Sequence, residues 1–380
     1  MVKKILKVIG IILGILVALV AVFFIWLSVN EYKPADIETV AVDTSEGKGQ
    51  QLVDGSEFTV MSWNVGYCGL GDNMDFFMDG GSGETVTTIE RNDVNIAGID
   101  GMIAMNNPDV LFVQEIDRNS DRSYNNDQLA KFKSDLATYE DQMNENNVPY
   151  ETTFAYNFNA EYVPYPVNNM MGHIESGVAV FSKYSIDEST RVSLPCPFKW
   201  PIRTVNLKRC LLVNRVPVVD EDGKDTGKEL VLINLHLEAY DDGEGKIAQT
   251  NALKKLMDDE LDKGNYVIVG GDFNQTFSNA DISMYPVRDD VWAPGSIDVD
   301  DFGSRWQCLM DNSVPSCRSL DQPYKDADHD TFQYYLIDGF IVSDNITVNT
   351  VETLDYGFAG SDHNPVLMSV KLGNEEKGDK

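Results

Sequence analysis

Twenty residues near the N-terminus, Val8 to Leu27, read V-I-G-I-I-L-G-I-L-V-A-L-V-A-V-F-F-I-W-L without a single charge. In hydrocarbon no water is at hand for backbone N–H and C=O groups, so such a run has one stable solution, an α-helix. At about 1.5 Å per residue it reaches across a core of roughly 30 Å. Lys3, Lys4 and Lys7 precede the run and Glu31 follows it, which keeps the leading segment 1–7 in the cytoplasm. Trp26 suits the far interface. A cleaved signal peptide is the competing reading, although its apolar region is usually shorter and no A-x-A-like site follows Leu27. The expectation is a single-pass anchor over 8–29 in the cell membrane, with everything after it folding on the outer side.

Residues 30–55 are polar and punctuated by Pro34 and several glycines, and read as a stalk. Short β-rich runs then alternate with helical ones. Strands are expected at Phe58–Val65, Asp109–Gln114, Gly177–Ser182 and Leu211–Val219, then at Glu229–Leu237, Tyr266–Val269, Tyr335–Val342 and Val366–Leu372. Helices are expected over Val86–Met105 and Ile247–Leu261, and a hairpin turn at Asp220–Lys228. Segments 121–150 and 276–330 are the least regular. No repeat and no long linker divides the chain, so 56–372 reads as one α/β domain with mixed sheets, followed by a frayed tail at 373–380.

With 61 acidic against 30 basic residues the chain carries a net charge of −31. Such a surface repels polyanions at long range, and no basic patch with interleaved aromatics offers a nucleic-acid groove. A nucleic acid therefore enters only as a substrate, where a bound divalent cation reverses the local field. The five cysteines contain no C-x-x-C pair, against a structural zinc site. Outside the cytoplasm Cys196–Cys210 and Cys308–Cys317 are the sequence-local disulfide candidates, with buried free thiols as the equal alternative.

Polar residues close one expected strand after another. They are Asn64 in S-W-N-V-G, Glu115 in V-Q-E-I-D, His236 in N-L-H-L, Asp272 and Asn274 in G-G-D-F-N, Asp338 in L-I-D-G-F, and Asp362 with His363 in G-S-D-H-N-P-V. One Asn or Asp closing a strand usually caps a turn. A series of them converges on one sheet edge, where α/β folds build their sites. Glu115 with Asn64 or Asp362 offers hard oxygen ligands suited to Mg²⁺, or alternatively Mn²⁺. A phosphate ester needs such a cation on its oxygens, a base for water, and donors where charge develops. His363, with an ordinary pKa of about 6.5, is the base, and a carboxylate on its other nitrogen fixes its tautomer. His236, Asn274 and Arg209 are donors for the phosphate.

In these motifs, S-W-N-V, V-Q-E, N-L-H-L, G-D-F-N, I-D-G-F and S-D-H-N-P-V, the chain resembles the endonuclease/exonuclease/phosphatase superfamily, in order and rough spacing from Phe58 to Leu372. S-G-V-A-V-F-S-K, Ser176 to Lys183, is similar to a further strand of that family. The resemblance implies two packed mixed β-sheets with helices outside, a four-layer α/β sandwich. It implies metal ligation by Glu115 with Asn64 and Asp362 nearby, His363 as the base oriented by Asp338, and Asp272 positioning the nucleophile. Asn274 and His236 would bind the scissile phosphate. Apurinic endonucleases carry an acidic residue where Gly66 stands and a tyrosine where His236 stands, so the chain departs from that branch.

The reading is a membrane-anchored, outward-facing, Mg²⁺-dependent phosphoesterase. Its substrate is open between a nucleic acid, a phospholipid head group and a small phosphate ester. No exposed apolar segment for lipid docking is visible in the sequence. A non-catalytic binding module on the same anchor is the rival, told apart by metal titration. Arg118 and Arg122 follow Glu115 and offer a second phosphate contact, but read first as exposed arginines after a strand, and Trp200 in K-W-P-I-R reads equally as packing or as part of a substrate loop. His173 and His329 match no motif of that family, and the run Asp326, Asp328, Asp330, lacking the glycine and distal glutamate of an EF-hand Ca²⁺ loop, reads as solvated. Oligomeric state is not encoded in any motif.

Overall fold

Several strands of this chain are apolar on both faces, so a sheet built from them must be covered on both sides. The computed structural model, which describes residues 1–82, 87–143, 148–241 and 243–373, meets that demand with two large sheets packed face to face and helices outside. The main strands are β1 (Ile37–Thr39), β2 (Leu52–Val53), β3 (Glu57–Asn64), β4 (Val110–Asp117), β5 (Glu151–Val163), β6 (Gly172–Ser182) and β7 (Glu188–Ser193). They continue with β8 (Cys210–Val219), β9 (Asp225–His236), β10 (Tyr266–Asp272), β11 (Trp306–Leu309), β12 (Asp338–Ser343), β13 (Ile346–Thr353) and β14 (Val366–Leu372). One sheet has the order β13-β14-β3-β4-β6-β5, the other β1-β7-β8-β9-β10-β12-β11, with β2 beside β8. The β3–β4, β9–β10 and β2–β8 pairs are parallel and the rest antiparallel, so both sheets are mixed.

The inner faces interdigitate through Val60, Phe112 and Val180 from one sheet and Leu212, Leu232, Ile268 and Phe340 from the other. Each such side chain contributes roughly 1.5–3 kcal/mol by leaving water. On the outer face of the first sheet lie α2 (Ile89–Asn106) and α3 (Gln128–Met143), which bury Ile96, Ile99, Ile103, Phe132 and Leu136 against Trp63, Leu111 and Phe181. The outer face of the second is covered by α4 (Glu244–Leu261) through Leu253 and Met257. The four-layer sandwich is thus present. Polar pins cross it: Gln114 donates to Asn234 Oδ1 at 2.7 Å, Asn234 donates back to the Val113 and Ala179 carbonyls, and Thr153 donates to Asn214 Oδ1 at 2.8 Å.

Segment 30–55 is extended but does not stand free. β1 pairs with β7, β2 pairs with β8, and bridges join Asp43 to Thr152 and Gln50 to Tyr184. An edge strand such as β7 presents unpaired N–H and C=O groups, and this strap satisfies them. α3 and most of β5 fall within the stretch read as irregular, 121–150, or just after it, because their apolar spacing is diluted by polar residues. The expected helix start at Val86 and nearly all of the tail lie outside the described residues.

The helix α1 (Val2–Val29) is long and apolar enough to cross a membrane, a property an N-terminal signal sequence shares. Only its last turns touch the rest of the protein, with Leu27 buried and Phe23 and Phe24 partly so. Of the two readings of the cysteines, the free-thiol one holds: all five are free thiols, four of them buried. The partners of each candidate pair sit apart, Cys196 exposed while Cys210 is in the inner core, and Cys308 under α4 while Cys317 packs with Tyr335 and Ile337.

Candidate active site

Strand register assembles the centre. In β10, Asp272 lies opposite His236 of parallel β9 on one side and opposite Asp338 of antiparallel β12 on the other, so three of the candidate residues fall in one row. The two glycines before Asp272 permit this. A Cβ on Gly271, whose φ is +146°, would stand 2.0 Å from the Leu235 carbonyl oxygen, and one on Gly270 would meet the Phe340 ring at 2.7 Å.

The other sheet supplies the facing wall. β3 ends at Asn64, and β4 carries a bulge between Val113 and Ile116 that holds Glu115 at a φ of +53°. A bulge re-aims one side chain, and a left-handed non-glycine residue costs about 1–3 kcal/mol, strain of the kind that clusters at working sites. The Ser361–His363 segment is stitched onto the end of β3. Ser361 Oγ donates to Asn64 O at 2.7 Å, and Trp63 Nε1 donates to His363 O at 2.9 Å. Gly66 lies against Asp362, where an added Cβ would be 2.8 Å from Oδ1.

His363 sits among carboxylates. Its Nδ1 is 2.8 Å from Asp338 Oδ2, and its Nε2 is 3.8 Å from both Asp272 Oδ2 and Asp362 Oδ2. Burial alone would lower its pKa, but Asp338, with Cys317 and Asp362, outweighs that and holds it well above the ordinary imidazole value. His236 is the opposite case. Burial first, then Arg209, His363 and Arg122, push it well below, so it is a neutral ring whose Nε2 is 3.4 Å from Asp272. Burial, then the neighbouring Asp338, raises Asp272 to about 7, and burial likewise raises Glu115. Buried carboxylates crowded this way are the environment a cation would relieve.

Asn64 donates to Glu115 Oε1 at 3.1 Å and to Asp272 Oδ2 at 3.0 Å, while its own oxygen accepts the Gly66 N–H at 3.0 Å. Turning the amide over would set its nitrogen against that N–H, so the orientation is fixed. The sequence expectation of Asn64 as a ligand thus meets a nitrogen facing the carboxylates and an oxygen already engaged. Donor atoms close enough to share an ion occur as Asp272, Asp338 and His363, and as Cys317, Asp362 and His363.

A cavity of about 570 Å³ opens over this centre, lined by Glu115, His236, Asp272, Asn274, Asp362 and His363. Asn274, at φ +51°, donates to Leu237 O at 2.9 Å, and its N–H binds Asp272 Oδ1 at 2.8 Å. Arg209 is buried in the wall, bonded to His236 O and 3.5 Å from Glu238. Arg122, expected as an exposed arginine, is also buried there. It forks onto Asp117 at 2.8 and 3.0 Å and lies 3.9 Å from the centroid of the Tyr67 ring. Arg118 stays partly exposed on Asp127. Cys317, in the S-C-R-S stretch, also lines the cavity and pairs its backbone with His363. Arg122 stood out in the sequence only by following Glu115, and its burial depends on the local fork onto Asp117. No signal marked Cys317 as a site residue, because it reaches the centre through contacts distant in the chain.

Residues 61–363 match the model of the Endonuclease/Exonuclease/phosphatase family. Among solved structures the chain is similar to an endonuclease/exonuclease/phosphatase from Beutenbergia cavernae DSM 12333, at 18% identity over 84% of this chain and 72% of that one, with a TM-score of 0.54. It is also similar to an endonuclease/exonuclease/phosphatase family protein from Bacteroides thetaiotaomicron, at 16% identity over 86% and 99%, with a TM-score of 0.51. At such identities the likeness is one of fold. No curated protein matches the chain in sequence.

Proposed function

Since the chain belongs to the endonuclease/exonuclease/phosphatase family, we propose that it hydrolyses a phosphate ester by attack of water in the cavity over Asp272 and His363. One observation carries this reading: Asp338 holds His363 Nδ1 at 2.8 Å while Nε2 faces Asp272 and Asp362 across an open cavity. Asp338 would fix the ring and favour its charged form, and His363 Nε2 would exchange the proton of the reacting group. Asp272, anchored by Asn64 and Asn274 N–H, would orient the water. Neutral His236, Asn274 and Arg209 would face the phosphoryl oxygens.

A divalent cation, Mg²⁺ or Mn²⁺, would be held by Glu115 and Asp362, with Asn64 positioning Glu115. The fit rests on the two carboxylates themselves, hard oxygen donors close enough that Asp362, after burial, helps raise the Glu115 carboxyl. When bound, the cation supplies Lewis acidity and neutralises phosphoryl charge.

We read 8–29 as a cell-membrane anchor with 1–7 cytoplasmic and the hydrolase unit 56–372 outside, supported by the uncharged helix and the lysines before it. The test uses the full chain in detergent micelles, assayed with Mg²⁺ against plasmid DNA, phospholipids and small phosphate esters. Hydrolysis of one class by the parent, abolished in His363→Ala and by chelation, is the expected result. A folded, Mg²⁺-binding protein that cleaves none of them would overturn the proposal.

A further inference from the structure

The cavity over the catalytic row has a second, apolar arm, and its wall includes the end of the anchor helix. Phe24 and Leu27 of α1 line the same cavity as His236 and His363. Around them Phe158, Met171 and Val205 form one buried cluster with Leu27, and Phe24, Tyr165 and Leu207 pack on it. Two buried cations line the same cavity. Arg122 lies 5.8 Å from the Phe158 ring centroid and lines the cavity with Arg209. Polar chemistry, two buried arginines and an apolar wall ending on a helix built for hydrocarbon, all around one cavity, match an amphiphile better than a soluble ester.

A second observation concerns side chains outside the helix. Large apolar side chains outside α1 are left exposed beside the arm: Val167 at 81%, Trp200 at 57%, Ile202 at 55% and Met170 at 40%. Val167 and Met170 lie in the loop between Tyr165 and Met171, both of which line the cavity. Trp200 donates its indole N–H to Ser28 Oγ at 3.0 Å and sits 5.7 Å from the Phe24 ring. Scattered apolar residues on a surface need no explanation, but a group gathered where an apolar helix leaves the fold reads as a surface meant for a bilayer. No single stretch of sequence carries this surface, because its residues come from two loops and meet only in the fold.

Resting on the phosphoesterase reading, we propose that the substrate is a membrane phospholipid, drawn from the leaflet in which α1 ends. One acyl chain would occupy the arm between Leu27, Phe158, Met171 and Val205, and the phosphate would lie between Arg122, Arg209 and the catalytic row. Water forms the new bond to phosphorus and the bond from phosphorus to the diacylglycerol oxygen breaks. The proton lost by the water ends on that oxygen, so no further reactant is needed. The acidic surface is no obstacle, since the lipid reaches the site from the membrane side rather than across the solvent.

The experiment compares dioleoyl and dibutanoyl forms of phosphatidylcholine, phosphatidylglycerol and phosphatidic acid, together with plasmid DNA and bis(p-nitrophenyl) phosphate. All are offered with Mg²⁺ to the full chain in mixed micelles. The expected result is a kcat/KM at least tenfold higher for one dioleoyl lipid than for its dibutanoyl counterpart. Anchoring alone would produce some preference of that kind, so Ile202→Asp and Val167→Asp, at exposed positions that accept a charge without unfolding, separate the two causes. Each is expected to shrink the chain-length ratio at least fivefold with the melting temperature unchanged. A ratio untouched by both variants overturns the acyl arm. Faster cleavage of plasmid or of the small ester than of any lipid overturns the lipid assignment while leaving the phosphoesterase reading intact. Cleavage of nothing in the panel overturns both.

Discussion

Asp100 offers a test of the fold that needs no knowledge of the substrate. It lies on the inner side of α2, 1% exposed, and neither of its carboxylate oxygens accepts a hydrogen bond. Burial, together with Asp135 on α3 as the acceptor of its proton, raises its pKa from 3.8 to about 8, with Lys131 opposing weakly. The folded state therefore holds a proton there that the unfolded chain releases near pH 4, and stability falls as pH rises from about 4 to about 8. At pH 7 the difference of about three pKa units corresponds to a penalty on the order of 4 kcal/mol. Asp100→Asn keeps a donor for Asp135 and removes the ionisation. The variant is expected to match the parent near pH 4 and to exceed it at pH 8 by several kcal/mol, or about 8 °C in Tm at roughly 2 °C per kcal/mol for a domain of this size. Thermal melts at pH 4.5, 6 and 8 decide it. A Tm difference that stays constant across the three would show that Asp100 ionises freely and that the α2–α3 contact is not as drawn.

Glu115→Gln removes one of the two proposed carboxylate ligands and should weaken Mg²⁺ binding at least tenfold by calorimetry; equal affinity would remove Glu115 from the ligand set. Asp338→Asn takes away the charge-assisted bond to His363, worth about 1.5–3 kcal/mol, so kcat should fall roughly 10- to 150-fold with KM unchanged. An unaltered kcat would mean that His363 needs no carboxylate behind it. Gly66→Ala forces a side chain into a φ of +50° and against Asp362, so both Tm and Mg²⁺ affinity should drop, whereas a loss of Tm alone would detach Asp362 from the metal.

What could be read from the sequence was what strand periodicity fixes. Each of the quoted motifs ends or borders an apolar run, and a run with a period of two dictates which residue leaves the sheet edge. His236, Asp272 and Asp338 therefore could be expected together, and their register pairs them. Asn64 illustrates the limit of that reasoning. Its position was legible, but which atom of its amide meets Glu115 depends on the Gly66 N–H, a detail of backbone conformation that a motif does not carry. The strap over 30–55 was hidden for a related reason: polar residues make an edge pairing as readily as a linker, and only the unpaired edge of β7 decides between them.

The apolar arm lies furthest from what a linear reading can reach, and the cause is physical. Its wall combines the last turns of α1, the loop after β5 and the segment near Val205, none of which is periodic or charged in a way that marks a ligand. Each piece has a sufficient local explanation as anchor, loop or packing. Their shared role emerges only from the cavity that joins them to His236 and His363. On the anchor reading α1 acquires a second duty, since a helix that only tethered the protein would have no cause to place Phe24 and Leu27 inside the cavity. Replacing α1 by an unrelated transmembrane helix keeps the tether and removes those two side chains. If the arm binds acyl chains, that exchange must lower the chain-length preference even though the protein remains in the membrane.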